Sequence, residues 1–347
     1  MNKVYRRCIL GILSLNLFLS FSSGWAQQLS YNEFTTKINE FEIKGEYKEA
    51  LEYLKIHQNS FPHKYFELSK EEIYINEKLL NYEENISIFS DGHKKGYFYL
   101  IHPSIPKYKP YKDLSRFDSI SKKDLELREN ALLNSKTIYE VELPNTYSKD
   151  RLWPAFLIFH GGGSNIKKVK KHWQTEKLNS NFIKIYIQSY RHYDSETFGW
   201  GSGDERADQD LMDLFERISS DYSIDSTKIF VSGMSAGGTF AIDISVRQVI
   251  PVSGLIAFCP GIPKILSNEN HIEISKSHVD VFIVGGEDDY YLPRQKQMTE
   301  IFSNLGIVNK HEIINGMGHE YPPNENMWID TGIHFLLYEN LNKHNDN

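Results

Sequence analysis

The stretch Gly233-Met234-Ser235-Ala236-Gly237 decides the fold that this chain is expected to adopt. A strand-like apolar run, Lys228–Ser232, leads into it, and a helix-like run, Thr239–Val249, follows it. A Gly-x-Ser-x-Gly between a strand and a helix is typical of a sharp turn that holds a serine hydroxyl clear of a sheet. Glycine is required two residues before and two residues after the serine because the strand and the helix crowd those positions. The pattern predicts a nucleophile at Ser235, and a glycine-rich turn without chemistry is the alternative for the pattern taken alone.

Three further motifs stand in the order that this chemistry requires. His160-Gly161-Gly162-Gly163 follows the apolar run 155–159, well before the serine. The acidic pair Asp288-Asp289 follows the apolar run 281–286, and His319 comes last, in Gly316-Met317-Gly318-His319-Glu320. The order serine, acid, histidine is the one found in α/β-hydrolases.

With these four motifs in register, the chain from about Ile138 onward resembles the α/β-hydrolase superfamily. Within it, the chain resembles secreted esterases related to feruloyl and acetyl esterases and to polyhydroxybutyrate depolymerases. The resemblance implies an α/β fold with a mostly parallel sheet flanked by helices. It also implies hydrolysis of a small-molecule or carbohydrate ester through an acyl-enzyme.

The expected catalytic residues are Ser235, His319 and an acid. His319 is the candidate base because it follows the acid and the last strand in the right order, in a loop flanked by Gly316 and Gly318. The Gly-x-x-Asp spacing of the resembled family indicates Asp289 as the acid that orients the imidazole, with Asp288 second and Glu287 third.

Backbone amides are expected to stabilise the developing negative charge. Ala236, directly after the nucleophile, should supply one amide, and the glycine run should supply the other. Gly162 is the first choice and Gly161 the second, whereas His160 is expected to hold the loop by hydrogen bonds.

Aromatic side chains near these motifs are candidates for substrate binding. Trp200 and Tyr290 are the first choices, with Tyr190 and Tyr291 as further candidates. Packing within the core or a loop is an equally good interpretation of each.

No cofactor or metal is expected, because no residue group resembles a metal cluster and no glycine loop has the lysine of a phosphate-binding loop. The formal net charge of −7 provides no basic patch, so nucleic acid is not an expected partner.

The first residues are typical of a secretory signal. Basic residues precede the apolar run Cys8–Leu19, and Gly24-Trp25-Ala26 offers small residues for cleavage after Ala26. The apolar run is too short to favour a membrane anchor, so residues 1–26 predict a secreted or periplasmic protein without stable membrane insertion. Cys259 is then the one remaining cysteine, in a strand-like run that predicts a buried, inert thiol.

The region 27–136 is expected to form a small helical domain. Its Gly45, Ala50 and Pro62 have the spacing of a tetratricopeptide repeat, which suggests a protein partner, and a helical domain with one repeat-like hairpin is the alternative. We place the domain boundary near Lys136 and expect a chain from about Asn134 onward to retain turnover of a small ester.

From residue 137 onward, strands alternate with helices, which predicts a parallel sheet covered on both faces. The predicted strands are Ile138–Leu143, Ala155–Phe159, Phe182–Gln188, Lys228–Ser232, Leu255–Phe258, Val281–Val284 and Lys310–Ile314. The predicted helices are Asp208–Asp221, Ala236–Arg247, Arg294–Leu305 and Met327–Leu341.

Two other functions compete with ester hydrolysis. A peptidase of the prolyl-oligopeptidase type shares the serine turn and the residue order, although it usually carries a β-propeller, which the helical N-terminal region argues against. A non-catalytic tetratricopeptide-type binding protein is the second rival, and the intact set of motifs argues against it.

Overall fold

The computed structural model describes residues 29–267 and 279–339, and the chain divides into two compact units, the first ending at Leu80 and the second beginning at Asn81. The predicted signal peptide, residues 1–26, lies outside the described residues. No helix in the described part of the chain is both long and apolar enough to cross a membrane.

The first unit contains three α-helices in its described part, and each packs against the next along the chain. They are α1 (Tyr31–Ile43), α2 (Tyr47–His57) and α3 (Tyr65–Lys78). The hydroxyl of Ser30 caps α1, and Gly45 makes the turn to α2 with φ +74. Ala50 is fully buried, as its repeat-like position predicts. Resemblance to a tetratricopeptide repeat stays a prediction.

The second unit begins with two helices and continues as alternating strands and helices. The helices are α4 (Tyr82–Lys94), α5 (Phe117–Asn134), α6 (Ile166–Val169), α7 (Glu176–Asn181), α8 (Glu205–Asp221), α9 (Ala236–Val246), α10 (Leu292–Asn304) and α11 (Glu325–His334). The strands are β1 (Ile138–Glu142), β2 (Trp153–Phe159), β3 (Ile183–Gln188), β4 (Ile224–Met234), β5 (Gly254–Phe258), β6 (Asp280–Gly286) and β7 (Asn309–Ile314).

These strands form one seven-stranded sheet in the order β1-β3-β2-β4-β5-β6-β7. β1 is antiparallel to β3, and every other pairing is parallel. Strands β2, β3, β5 and β6 are buried along almost their whole length, and β4 is buried from Ile229 to Met234, because a hydrophobic cluster covers each face of the sheet. The predicted fold class is confirmed.

All seven predicted strands are present, with ends that differ by a few residues. The short helices α6 and α7 were not predicted, because four and six residues are too few to show a helical period. The last helix, predicted as Met327–Leu341, ends at His334 and continues as a π-helical stretch, Phe335–Glu339.

Two of the helices before Lys136, α4 and α5, belong to the second unit, together with the sheet. The buried carboxylate of Asp124, on α5, accepts the backbone amides of Tyr99 and Ile101. The guanidinium of Arg206, on α8, donates to the carbonyl of Leu132 at 3.1 Å. The compact units therefore divide at Leu80 rather than near Lys136, where the sheet begins, and the predicted domain boundary stays a prediction about independent folding.

Candidate active site

Ser235 stands at a strained turn between β4 and α9. Its φ of 55 lies in the left-handed region that side chains rarely adopt, and its amide donates to the carbonyl of Phe258 at 2.8 Å. A Cβ on Gly233 would lie 2.4 Å from the backbone carbon of Gly237, and one on Gly237 would lie 2.4 Å from the carbonyl oxygen of Phe159. Only glycine fits at both positions, which is the crowding that the sequence pattern predicts.

The structure brings Ser235, His319 and Asp289 together from three loops at the carboxyl ends of the strands. The hydroxyl of Ser235 lies 2.8 Å from His319 Nε2, and His319 Nδ1 lies 3.0 Å from Asp289 Oδ1. The carboxylate of Asp289 is buried, and its Oδ1 also accepts the amide of Tyr291 at 2.8 Å. These partners assign the imidazole hydrogen to Nδ1 and leave Nε2 to accept from the serine.

The other two acids of the same loop do not reach His319. Asp288 and Glu287 are exposed, and Glu287 accepts the amide of Gly316 at 3.1 Å. Their contacts support the histidine loop from outside. Gly286 brings this loop close to β6, since a Cβ there would lie 2.1 Å from the carbonyl oxygen of Met317.

Two residues that the sequence analysis did not connect with the site lie behind the acid. Gln295, fully buried on α10, donates its amide to Asp289 Oδ2 at 2.9 Å and to the carbonyl of Pro260 at 3.2 Å. Cys259 is buried as predicted, and its thiol lies 3.4 Å from the carbonyl oxygen of Glu320. Burial and the negative charge of Asp289 raise the pKa of the Cys259 thiol to about 12, so it stays protonated.

A cavity of about 360 Å³ opens in front of the serine hydroxyl. Gly162 and Ala236 both line it, as an oxyanion hole requires. The amide of Gly163 is engaged by the carbonyl of Phe198 at 2.9 Å, whereas among the described residues no backbone carbonyl accepts the amide of Gly162. Gly161, the second choice, is not part of the lining.

The predicted aromatic residues occupy different places. Trp200 lines the cavity, donates to the carbonyl of His160 at 2.9 Å and stacks on Phe240. Tyr290 is 67% exposed, lies outside the lining, and packs its ring 4.5 Å from that of His319. Tyr291 lines the cavity instead.

Tyr190 is buried and is not among the residues that line the cavity. Its hydroxyl donates to Asp204, the residue that caps α8. His160 is also buried, with Nδ1 2.7 Å from the carbonyl oxygen of Gly161, and burial lowers its pKa to about 4. The neutral imidazole of His160 therefore holds the glycine loop by a hydrogen bond, which is the structural role expected from the sequence.

The rest of the cavity wall comes from residues that sequence reasoning did not single out. A larger cavity of about 530 Å³ shares four residues with the first, so the cleft continues beyond the serine. The lining residues not predicted are Tyr193, Thr239, Phe240, Gly261, Ile262 and Arg294. They come from loops and from the helices α9 and α10 and share no motif, so only the fold brings them together.

The one group with metal-ligand geometry in the described part of the chain is Cys259, Asp289 and His319, whose ligand atoms lie within 4.8 Å of one another. Both imidazole nitrogens already have partners, and the thiol is protonated. Because a metal needs a thiolate and a free imidazole nitrogen, hydrogen bonding accounts for this group.

Comparison with known proteins identifies one matching family model, the dienelactone hydrolase family, over residues 152–328. Among curated proteins, none matches this sequence. The chain is similar in fold to an uncharacterized protein from Bacillus cereus ATCC 10987, with 19% identity, 89% of this chain and 99% of that chain covered, and a TM-score of 0.49.

Two further solved structures match a smaller share of the chain. A ferulic acid esterase shares 18% identity, with 59% of this chain and 91% of that chain covered and a TM-score of 0.43. An esterase from the Planctomycetes species Thermogutta terrifontis shares 14% identity, with coverages of 60% and 90% and a TM-score of 0.45. These similarities are too distant to indicate a function.

Proposed function

The chain belongs to the dienelactone hydrolase family, and on that premise we propose that it cleaves carboxylic esters as a serine hydrolase, through an acyl-enzyme on Ser235. One observation carries the proposal. A continuous hydrogen-bonded series runs from the serine hydroxyl through His319 to the buried carboxylate of Asp289, with distances of 2.8 and 3.0 Å. A serine hydroxyl needs such a base to become nucleophilic at neutral pH.

In the first half of the reaction, Ser235 Oγ attacks the ester carbonyl while His319 Nε2 takes the hydroxyl proton. Asp289 keeps the Nδ1 hydrogen in place and stabilises the positive imidazolium, without itself taking the proton. The carbonyl oxygen becomes negative, and the amides of Gly162 and Ala236 would donate to it. Removal of one such donor typically costs about 2.7–4 kcal/mol of transition-state stabilisation.

The tetrahedral intermediate then collapses, and His319 gives its proton to the alcohol oxygen as that bond breaks. Water enters, His319 takes one of its protons, and the hydroxide attacks the acyl carbonyl. Collapse of the second intermediate breaks the bond to Ser235 Oγ, which regains its proton from Nε2. The products are one carboxylic acid and one alcohol, and the protein returns to its starting state.

The cleft supports a substrate with parts on both sides of the ester. Trp200 and Tyr291 border the cavity at the serine, and the larger cavity beside it leaves room for a second group. Tyr290, exposed over the His319 ring, would contact that substrate from outside. We therefore propose a small-molecule or carbohydrate ester as the substrate class.

The N-terminal sequence and the first helices support proposals about the location and the partners of the protein. The basic and apolar start of the chain supports cleavage after Ala26 and a secreted or periplasmic protein. The repeat-like packing of α1 and α2 around Ala50 supports a tetratricopeptide-type surface for a protein partner. Peptide hydrolysis is the alternative activity, because the same hydrogen-bonded series could cleave an amide.

Turnover of p-nitrophenyl acetate by the purified chain, compared with feruloyl and acetylated sugars and short peptides, tests the proposal. Ser235→Ala should abolish ester turnover while circular dichroism stays unchanged, because only the nucleophile is lost. Ser219→Ala, at an exposed serine of α8, is the matched control and should behave as wild type. A Ser235→Ala protein that keeps most of the wild-type rate would overturn the assignment.

A further inference from the structure

Two buried polar atoms behind the acid point toward the same place. Gln295 Oε1 and His311 Nε2 are both buried, and neither has a hydrogen-bond partner among the described residues. A Cβ placed on Gly285 would lie 2.1 Å from the first atom and 3.1 Å from the second. Both atoms therefore lie around the position that a side chain of residue 285 would occupy. The distance between the two atoms is at most the sum of these two distances.

The orientation of the Gln295 amide is fixed by what surrounds it. Its nitrogen faces two acceptors, Asp289 Oδ2 at 2.9 Å and the carbonyl of Pro260 at 3.2 Å. A flipped amide would place its oxygen against both acceptors, which is unfavourable. Oε1 must therefore face Gly285, where a buried acceptor without a donor costs free energy.

His311 is suited to provide that donor. It lies on β7 opposite Ile283 of β6, beside the strand end that carries Gly285. Burial, with the positive charge of Lys296 as the next cause, lowers the pKa of His311 to about 4. The ring is therefore neutral, and one of its two nitrogens carries a hydrogen that it can donate.

We propose that Gln295 is a positioning residue for Asp289, and that His311 holds the Gln295 amide through an Nε2–H donor, directly or through one buried water. The series then runs from His311 through Gln295 and Asp289 to His319. Gln295 touches neither substrate nor reacting atoms, so it acts only by orienting the carboxylate that orients the imidazole. This inference rests on the proposed function, because it assigns part of the support of that site.

Gly285 is a necessary part of this arrangement. Any side chain there would occupy the space that Gln295 Oε1 fills, since a Cβ would meet that oxygen at 2.1 Å. The amide would have to turn away from Asp289 to avoid it. Gly285 is therefore required for the Gln295 amide, whereas Gly286 is required for the close approach of Met317.

Gln295→Met is the main test, because methionine has nearly the same length and lacks the amide. We expect kcat on p-nitrophenyl acetate to fall about 10- to 100-fold with little change in KM, since a hydrogen bond to a carboxylate is lost and the cleft is not altered. Gln209→Met makes the same change at an exposed position of α8 and should leave both constants unchanged. An unchanged kcat in folded Gln295→Met would overturn the proposal.

A spectroscopic readout separates this inference from the proposed function. The Nδ1 hydrogen of a histidine bonded to a buried carboxylate gives a low-field proton resonance, and Asp289→Asn, which should remove it, assigns the signal. Gln295→Met should shift or broaden that resonance, and Gln209→Met should not. This holds even if no ester is turned over, in which case only the proposed function fails.

The part of His311 is tested by a double-mutant comparison. His311→Phe alone should lower kcat about 2- to 10-fold, as expected for loss of one neutral hydrogen bond. Combined with Gln295→Met, it should add almost nothing, because His311 acts only through Gln295. Fully additive effects on kcat would show that His311 does not hold the Gln295 amide. The part of the proposal that concerns His311 would then be wrong.

Discussion

The buried carboxylate of Asp243, on the helix that follows Ser235, accepts a hydrogen bond from the hydroxyl of Ser202 at 2.7 Å. The same carboxylate accepts the amide of Gly203 at 2.9 Å and pairs with Arg247, which also pairs with Asp208. The nucleophile helix is thereby joined to the loop that borders the cleft. An aspartate inside an otherwise apolar helix was the sequence signal for this network, and sequence reasoning missed it.

Asp243→Ala should therefore lower stability and weaken substrate binding together. It leaves Ser202 and Gly203 without their acceptor and removes one of the two carboxylates that hold Arg247. We expect a loss of about 1–3 kcal/mol in the free energy of unfolding, because Arg247 keeps Asp208. Urea unfolding and the KM for p-nitrophenyl acetate measure the two effects. Asp213→Ala, on the exposed face of α8, is the control and should change neither.

The acid can be distinguished from its neighbour by paired substitutions. Asp289→Asn should lower kcat by about 10⁴-fold, as the same change does in a serine protease, because an amide favours the wrong imidazole tautomer. Asp288→Asn should have little effect, since Asp288 is exposed and does not contact His319. Steady-state kinetics of the two folded variants on the same ester measure both. A larger loss in Asp288→Asn would show that the acid lies one residue earlier.

The serine turn could be predicted from the sequence, whereas the residues that support the acid and line the cavity could not. Gly233 and Gly237 are required by local crowding, so the serine turn could be predicted from residues adjacent in sequence. Gln295 could not, because a glutamine on a helix has no pattern that shows which loop it reaches. Tyr290 and Tyr291 are neighbours, and only the backbone geometry after β6 determines that the second one lines the cavity.

Acid should destabilise the second unit through His160. Burial lowers the pKa of His160 from 6.5 to about 4. Between these two pH values the imidazole is protonated in the unfolded chain and neutral in the folded chain. The stability that the neutral ring contributes is complete above pH 6.5 and is lost as the pH falls toward 4, by about 3 kcal/mol.

Urea unfolding at pH 7 and pH 4.5, followed by tryptophan fluorescence, measures this loss, because Trp153, Trp173, Trp200 and Trp328 all belong to the second unit. His160→Gln can keep a donor and an acceptor without titrating, so it should lose less stability between the two pH values. His334→Gln, at an exposed histidine, should lose as much as wild type. Equal losses in all three proteins would show that His160 is not the group responsible.

Removal of the first unit should leave ester turnover intact, whereas a deeper truncation should not. A chain beginning at Asn81 keeps every described residue of the second unit. A chain beginning at Asn134, which the sequence suggested would suffice, loses Asp124 and the backbone of Phe98. The amide of Phe98 donates to Ser195 Oγ at 2.8 Å, and its carbonyl accepts the Ser195 amide at 3.1 Å, in the loop that also carries Tyr193 of the cavity wall.

We therefore expect the Asn81 chain to hydrolyse p-nitrophenyl acetate at close to the full-length rate. The Asn134 chain should be inactive or aggregated, because apolar surface covered by α5 is exposed and the Tyr193 loop loses its support. Circular dichroism and size-exclusion chromatography establish folding before the rates are compared. If the Asn134 chain proved folded and fully active, the helices α4 and α5 would be dispensable, and the boundary would belong near Lys136 after all.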